Sequence, residues 1–382
     1  MAAPPRPGHG RTSAAVRCGC VVLIFCLPAL PAFAGDLAPW LEAHRDRHDL
    51  PALGAVVVSS SGIESLGVVG RRASSHDARV EGDDRWHLGS ITKSMTATVA
   101  ARLVEQGRID FDTRVGTVLG EAFPSMRRVF RRVTLAELLG HRGGLPRDLV
   151  GLEVWEQLDI EADAPRSQRR ALLEEVLSRR PALRPGSGHL YSNAGYVLAA
   201  TMLEAVSGQS WEELMVAELF RPLALESAGI GAPGIDGEQP DQPWGHRAGN
   251  GLQPMPPGPF ADHPPALGPA GTVHMNLADL GRYLHAHLVG LAGDTAFLPR
   301  ELFQRLHAPL PGQDYALGWW QESSQRTDAA IHVHEGSNTF WFALVWLIPA
   351  QDVAIAVVTN RVPADLDATA TIAGELLAWR QR

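Results

Sequence analysis

Ser90-Ile91-Thr92-Lys93 holds the only lysine of this 382-residue chain, which has 34 basic residues in total. Arginine cannot release its proton near neutral pH, whereas a buried lysine can. On a helix, residues three apart lie on the same face, so the Ser90 hydroxyl is expected within reach of the Lys93 amine. The single lysine is therefore predicted to carry a proton for the serine one turn away.

This pairing has a chemical purpose because a serine hydroxyl is a poor nucleophile until a base removes its proton. Residues 90–106 are rich in Ala, Thr and Met with few charges, which predicts a buried helix. Burial and the positive end of the helix dipole both disfavour the ammonium form of Lys93. A Ser-x-x-Lys pattern alone is a weak signal that also arises by chance, but the absence of any other lysine strengthens it.

A second candidate element is Tyr191-Ser192-Asn193. A tyrosinate held near two cations could pass a proton between Ser90 and a leaving group. Asn193 could hydrogen-bond both Lys93 and a substrate amide. The alternative is a tyrosine packed at a helix start that Ser192 or Asn193 caps, and this is compatible with the catalytic interpretation.

The third element is His334-Glu335-Gly336-Ser337, at the end of a strand-like segment. Glycine allows a strand edge to approach a ligand closely. The backbone N–H groups of Ser337 and Ser90 are then candidates for an oxyanion hole. Taken alone, this segment is better explained as a histidine at a hairpin edge beside a turn.

The organisation of the chain predicts an α+β fold. Strands are expected at 53–59 and 63–69, and again at 316–320, 331–334, 339–348 and 353–359, with mainly helical sequence between them. Helices are also expected at 36–48, 135–139, 277–288, 300–306 and 365–379, and 232–268 is expected to be a long irregular excursion. One antiparallel sheet (35–85 and 270–382) flanked by helices, with a mainly helical insert (86–269), follows from this order.

The first 34 residues form a separate object. Three arginines precede an apolar run over residues 21–33, and Ala32-Phe33-Ala34 places small residues at a cleavage site. This is the layout of a secretory signal peptide, which predicts an exported, periplasmic or secreted protein. An uncleaved membrane anchor is the alternative, but the run is too short to span a bilayer. After cleavage no stable membrane span is expected.

Composition excludes several classes of function. All three cysteines (Cys18, Cys20 and Cys26) lie in the predicted signal peptide, so thiol catalysis and cysteine-based zinc sites are not expected in the mature chain. The mature chain keeps 31 basic and 42 acidic residues, a balance that argues against nucleic acid as a partner. His332 and His334 would share one face of a strand, but no further metal-ligand pattern accompanies them. No metal or cofactor is predicted.

The three elements together, in this order, resemble those of the serine β-lactamase and penicillin-binding superfamily. That family has S-x-x-K, then Y-x-N, then K-T-G or H-x-G, and Tyr191-Ser192-Asn193 points away from class A. The chain resembles in particular the class C β-lactamase and serine-esterase branch, and variants with a histidine at the position of His334 resemble esterases and D-amino-acid peptidases. Segments 141–146, 185–196 and 269–271 also look like the family. The resemblance extends from about Trp40 to the C-terminus and implies the β-lactamase/transpeptidase-like α+β fold.

The resemblance also implies roles for individual residues. Ser90 would be the acylated nucleophile, Lys93 its base and Tyr191 the proton relay. Asn193, His334, Gly336 and Ser337 would form the substrate-binding and oxyanion region.

The departure from K-T-G is His334, which stands where lactamases have a lysine that holds the substrate carboxylate. A largely neutral imidazole binds anions weakly at pH 7, which argues against β-lactams as substrates. An exported serine hydrolase acting on small esters or on short or D-configured peptides is therefore predicted. The alternatives are a non-catalytic or weakly catalytic binder of cell-wall peptide or penicillin, and an acyltransferase that uses the same acyl-enzyme.

Overall fold

The computed structural model describes residues 37–153, 158, 164–249, 251–323 and 329–381; the predicted signal peptide and its cysteines lie outside them. The helices are α1 Leu37–Arg47, α2 Thr92–Glu105, α3 Val115–Leu119, α4 Leu135–Leu139, α5 Pro165–Ser178, α6 Asn193–Ser207, α7 Trp211–Met215, α8 Gly268–Gly271, α9 Leu277–Ala292, α10 Arg300–His307 and α11 Ala368–Arg380. The strands are β1 Ala52–Ser59, β2 Gly62–Gly70, β3 Trp86–His87, β4 Gly229–Ile230, β5 Gly245–Gly249, β6 Gly251–Met255, β7 Val273–Met275, β8 Trp320–Ser323, β9 Ala330–Ser337, β10 Phe342–Ile348 and β11 Val353–Thr359.

A six-stranded antiparallel sheet joins the two ends of the chain in the order β2-β1-β11-β10-β9-β8. Strand β1 carries no polar side chain before its last residue, Ser59, and every residue in it is buried, as expected of a strand that is covered on both faces. Its centre pairs with both neighbours, since Val56 lies opposite Ala356 of β11 and Leu66 of β2. The expected α+β fold, with a sheet built from both ends of the chain, is confirmed.

The two faces of this sheet pack against different helices. On one face, Leu53, Ala55 and Val57 of β1 meet apolar side chains of α1 and α11. On the other face, Val56 and Val58 join the larger core, which includes α2, α6 and α9. Because side chains alternate along a strand, one apolar segment supplies both cores.

Two features of the sheet edge determine where the candidate site lies. Strand β8 pairs with the first half of β9 only, from Ala330 to Val333. The second half of β9 packs instead against a 3₁₀ turn, Gly89–Ile91, that leads directly into α2. Ser90 and residues 334–337 are thereby brought together from opposite ends of the sequence.

Several expected boundaries are wrong, each for a local reason. Residues 316–319 do not form a strand, because the Ala316 N–H bonds to the Trp319 carbonyl in a tight turn (2.7 Å) and β8 begins only at Trp320. Strand β10 begins at Phe342 rather than at 339, since Thr339 has a left-handed φ of 79°. The excursion over 232–268 contains a short hairpin of β5 and β6.

Candidate active site

Ser90 and Lys93 lie side by side at the start of α2. The Lys93 Nζ and Ser90 Oγ atoms are hydrogen-bonded at 3.0 Å, and Nζ also donates to the Ala270 carbonyl at 2.6 Å. Lys93 is fully buried, whereas Ser90 is partly exposed. The amine is therefore shielded from water, while the hydroxyl beside it remains accessible.

Burial determines the protonation of Lys93. Removal from water lowers its pKa well below the ordinary lysine value, because the ammonium form loses its hydration. Within the described ranges, no carboxylate forms an ion pair with Lys93 to counter this effect. A neutral amine at this position has an electron pair that can accept the proton of the adjacent serine hydroxyl.

Helix α8 carries the carbonyl that binds Lys93, and threonines of α2 hold it in place. The Thr96 hydroxyl donates to the Pro269 carbonyl at 2.8 Å, and the Thr92 hydroxyl accepts from the Val273 N–H at 3.0 Å. These bonds fix the segment around Ala270 against the helix that bears Lys93.

The turn that carries Ser90 requires two glycines. Gly89 has a left-handed φ of 50°, which favours glycine. A Cβ atom on Gly336 would lie 1.9 Å from the Leu88 carbonyl oxygen and 2.8 Å from the Ser90 nitrogen. The backbone of β9 therefore approaches the serine turn more closely than any side chain would permit, and this explains the glycine in His334-Glu335-Gly336-Ser337.

Tyr191 lies over the Ser90–Lys93 pair. The Lys93 Nζ is 4.8 Å from the centre of the Tyr191 ring, and the phenol lies near enough to Ser90 to interact with it. Burial raises the pKa of Tyr191 to about 12, although the interaction with Ser90 and the charge of Arg147 act in the opposite direction. The group is therefore a phenol at neutral pH in the resting protein, and the resting tyrosinate expected from the sequence is wrong.

The His141 ring packs against the Tyr191 ring. Its ring centre is 4.2 Å from that of Tyr191, and its Nδ1 accepts the Ser192 backbone N–H at 3.1 Å. Burial, followed by the influence of Lys93, holds the pKa of His141 well below its usual range, so the ring is neutral. The side chain is thus a fixed acceptor at the start of α6, which also positions Asn193.

Asn193 does not make the contact expected with Lys93. Its Oδ1 atom is buried and has no hydrogen-bond partner among the residues the structure describes, while Nζ is already bonded to Ser90 and Ala270. Asn193 instead lines a cavity of about 130 Å³ together with Arg147, Leu149, His263 and other residues. The Asn193 residue therefore borders this cavity, while its amide oxygen is buried and unpaired among the described residues.

His334 is buried and held at both ring nitrogens. Nδ1 donates to its neighbour's carbonyl, that of Glu335, at 2.6 Å, so Nε2 is the acceptor for the Tyr315 hydroxyl at 3.1 Å. Burial lowers the pKa of His334 to about 3, with a further contribution from Lys93. The imidazole is therefore neutral at pH 7, in agreement with the reasoning from the sequence.

Ser337 lies where β9 meets the serine turn. The position that a Cβ of Gly89 would take is only 2.2 Å from the Ser337 nitrogen, so the two backbones are in direct contact. The Ser337 hydroxyl donates to the Trp341 carbonyl at 2.7 Å and does not point freely into the site. The structure thus brings the Ser337 and Ser90 backbone amides close together.

Sequence reasoning missed Tyr315, which bonds to His334. A usable signal existed: the chain has only four tyrosines, Tyr191, Tyr196, Tyr283 and Tyr315. Tyr196 lies 5.7 Å from the Lys93 amine, and Tyr283 donates to Ser94 on the same helix. All of them therefore lie near α2 or β9, as the single lysine does.

The histidines that suggested a metal are used otherwise. His332 contacts the His307 ring, with centroids 4.6 Å apart, while His334 bonds to Tyr315. Within the described part of the chain, no group of three or more His, Cys, Asp or Glu side chains is arranged to hold a metal ion. No described helix combines the length and apolar character needed to cross a bilayer.

Comparison with known proteins gives one consistent result. The family profile described as Beta-lactamase matches residues 37–378. Penicillin-binding protein 4 of Amycolatopsis lactamdurans is 26% identical over 339 residues, which are 85% of this chain and 85% of that protein.

Two solved structures show the same fold. The octameric penicillin-binding protein homologue from Pyrococcus abyssi superposes with a TM-score of 0.71 at 21% identity, over 88% of this chain and 76% of that one. A D-stereospecific amidohydrolase from Streptomyces superposes with a TM-score of 0.68 at 21% identity, over 88% of this chain and 97% of that one.

Proposed function

This chain belongs to the beta-lactamase family and is a serine hydrolase of that fold, and we propose that it acts through an acyl-enzyme formed on Ser90. The observation that carries the proposal is the 3.0 Å contact between the partly exposed Ser90 hydroxyl and the fully buried Lys93 amine. A lysine that is sealed from water and has no carboxylate partner is suited to accept a proton.

In the acylation step, the neutral Lys93 amine removes the Ser90 hydroxyl proton while Oγ forms a bond to the substrate carbonyl carbon. The negative charge that develops on the carbonyl oxygen is stabilised by the Ser90 and Ser337 N–H groups. The bond to the leaving amine or alcohol then breaks, and that group takes a proton from the Tyr191 phenol. Lys93, now an ammonium, returns its extra proton to Tyr191.

Deacylation uses Ser90, Lys93 and the same oxyanion site. A water molecule gives a proton to the neutral Lys93 amine and attacks the acyl carbon in the same oxyanion site. The bond to Ser90 Oγ breaks, and the oxygen recovers its proton from the Lys93 ammonium. The products are a free acid and the starting enzyme.

His334 and Asn193 support the proposed substrate class. The neutral His334 offers no positive charge to a substrate carboxylate, which favours small esters and short or D-configured peptides or amides over β-lactams. Asn193 lines the cavity beside the site, and a side-chain amide there is suited to hydrogen-bond a substrate amide. The fold shared with a D-stereospecific amidohydrolase is consistent with this choice.

The test is labelling followed by turnover. A fluorophosphonate should add once to the wild-type protein and not to Ser90→Ala, as measured by intact mass and peptide mapping. Folded wild-type protein that remains unlabelled would contradict the acyl-enzyme and favour a binder. Hydrolysis of p-nitrophenyl esters, D-alanyl peptides and nitrocefin then ranks the substrates, and added amines or alcohols reveal acyl transfer as a competing product. Nitrocefin as the best of these substrates would refute the argument from His334.

We also propose that the protein is exported, because residues 1–34 have the layout of a cleavable signal peptide. N-terminal sequencing of protein from the producing cell should begin at Gly35 in the periplasmic or culture fraction. An intact Met1 in a membrane fraction would instead support the anchor.

A further inference from the structure

Asp262 lies outside the three motifs, yet it contacts both segments that carry the proposed oxyanion amides. It sits in the irregular region before α8, and its side chain is only 7% exposed. One carboxylate oxygen, Oδ2, bonds to His87 at 2.9 Å. The other, Oδ1, accepts from Asn338 at 3.3 Å and from the His263 backbone N–H at 2.7 Å.

The His87 contact reaches the segment that carries Ser90. The Gly89 N–H donates to His87 Nδ1 at 3.1 Å, so Nδ1 carries no proton and Nε2–H donates to Asp262. His87 is fully buried. The carboxylate therefore selects the ring tautomer that can hold the Gly89 amide, and Gly89 directly precedes Ser90.

The Asn338 contact reaches the segment that carries Ser337. Asn338 Nδ2 donates to the Ala261 carbonyl at 2.9 Å as well as to Asp262. Its Oδ1 accepts the Trp341 N–H at 3.3 Å and so stabilises the turn after Ser337. The Trp341 ring in turn stacks on His87, with centroids 5.5 Å apart at an angle of 27°.

The two segments have little freedom to relax separately. The Gly89 and Gly336 backbones are too close for a Cβ atom on either residue, and both contacts are with backbone atoms. Oxyanion stabilisation depends on donors fixed in advance at about 2.7–3.1 Å from the developing charge. The Gly89 N–H that His87 holds lies one peptide before the Ser90 N–H, so loss of that bond would free the turn to point the Ser90 N–H elsewhere.

We propose that Asp262, acting through His87 and Asn338, is a positioning residue that fixes the two oxyanion amides relative to each other. This inference rests on the proposed function of Ser90 and Ser337. None of the three side chains takes part in proton transfer. Their effect is on the direction of two N–H groups, which matters most when negative charge forms on the substrate.

The first test uses variants of His87. His87→Leu removes both hydrogen bonds and should lower the acylation rate by about ten- to a hundredfold, a partial loss of one oxyanion donor. The affinity for phenylboronic acid, which forms a tetrahedral adduct on the serine, should fall by the same factor, while KM changes little. His87→Asn keeps an acceptor at the Nδ1 position and should recover most of this loss.

The matched control is His274→Leu. His274 lies opposite His87 in the β3–β7 pair and is also buried, but its Nδ1 bonds to the Gly231 carbonyl, away from the Ser90 turn. It should lower Tm without changing the acylation rate of the folded protein. Equal losses of rate in both Leu variants, or no recovery in His87→Asn, would overturn the positioning role.

A second measurement does not depend on activity. Long-range ¹H–¹⁵N spectra of histidine-labelled wild-type protein, with His87 identified by its absence from His87→Asn, should show Nδ1 unprotonated and Nε2 protonated. The opposite tautomer would overturn the inference. An unlabelled Ser90 with the expected tautomer would instead contradict the proposed function and leave the Asp262 contacts established.

Discussion

Two polar clusters lie on or beside helix α2, and they differ in whether solvent can reach one of their hydroxyl groups. The front cluster is Ser90 and Lys93 with Tyr191. The rear cluster is Ser94, Thr98 and His287, together with Tyr283 and His307. The front cluster has a partly exposed hydroxyl beside its buried amine, whereas every member of the rear cluster is buried.

In the rear cluster each shared proton has a defined donor and acceptor. The Thr98 hydroxyl donates to the Ser94 carbonyl at 2.8 Å, so it accepts from His287 Nε2 at 3.2 Å. His287 Nδ1 then accepts from His307 Nε2 at 2.9 Å. Burial lowers the pKa of His287 to about 3, and the ring is a neutral structural element.

The comparison shows that burial alone does not make a group reactive. Both clusters contain a basic side chain whose pKa burial has lowered. Only in the front cluster does that base contact a hydroxyl that a substrate can reach. Substitutions in the two clusters should therefore affect activity very differently.

Lys93→Met should have the largest effect. Loss of the base should lower the acylation rate by about 10³-fold, within the range measured for general bases. The free energy of unfolding should stay the same or rise, because a buried amine without a charged partner is replaced by an apolar side chain. Stopped-flow acylation and urea unfolding measure the two quantities. A variant that still acylates at the normal rate would refute the role of the front cluster.

The matched control lies in the rear cluster. Ser94→Ala removes the hydroxyl that accepts from Tyr283 at 2.8 Å and donates to the Ile91 carbonyl. It should cost about 1 kcal/mol of stability and leave the acylation rate of the folded protein within about twofold. A large loss of rate would mean that the rear cluster is coupled to the reaction.

Tyr191→Phe should lower the acylation rate by about 10²-fold for amide substrates, whose leaving group needs a proton. Activated esters should be less affected, because their leaving groups depart without one. Tyr196→Phe is the control, since its buried hydroxyl donates to the Leu139 carbonyl at 2.7 Å and is not bonded to Ser90. Equal losses for esters and amides would argue against proton delivery by Tyr191.

The histidines of the rear cluster should make the protein sensitive to acid. The pKa of His287 is about 3 in the folded state and about 6.5 when unfolded, so in this window only the unfolded chain binds the proton. Stability should therefore be highest above pH 6.5 and should fall by about 1.4 kcal/mol per pH unit for each such histidine as the pH decreases. His332, with a pKa of about 4, adds to the same trend.

The variant His287→Gln tests this slope. It keeps a donor for Thr98 but cannot titrate. Below pH 6, unfolding of the variant should therefore take up about one proton fewer, and its free energy of unfolding should depend less steeply on pH. Urea unfolding measured from pH 4.5 to 7 gives the slope. An unchanged slope would show that His287 is already protonated in the folded protein.

Among the variants expected to slow acylation, Tyr315→Phe should have the smallest effect, a few-fold loss of acylation rate, which is about 1 kcal/mol. It leaves the buried Nε2 atom of His334 without its donor. Because the unpaired imidazole then gains a proton more readily, the pKa of His334 should rise from about 3. Histidine NMR titration measures that rise, and an unchanged pKa would show that the Tyr315 bond does not control His334.

Much of the site could be predicted from residue types and spacing. Ser90 and Lys93 are three residues apart, so one helical turn determines their contact. The occurrence of a single lysine in the chain indicated that this residue has a chemical role. The neutral state of His334 followed from the ordinary properties of imidazole. The strand boundaries at 316–319 and 339–341 could not be predicted, because the turns there depend on packing rather than on propensity.

Contacts between distant segments were not predictable. Asp262 meets His87 across 175 positions in the sequence, and Lys93 meets the Ala270 carbonyl across 177. The expected bond between Asn193 and Lys93 is absent, and the Lys93 amine bonds instead to a backbone carbonyl of α8. A backbone acceptor leaves no mark in the sequence, since every residue has one.

By itself, the sequence determined the order of the chemical groups, the α+β arrangement and the one amine capable of acting as a base. Residue spacing is enough for these predictions, because helices and strands relate residues only two to four positions apart. Only the packed structure places the Ala270 carbonyl against the Lys93 amine, keeps Tyr191 a phenol and lets Asp262 join two backbone segments. Desolvation and orientation arise from atoms far away in the chain, so they exist only after the sheet and the helices have packed together.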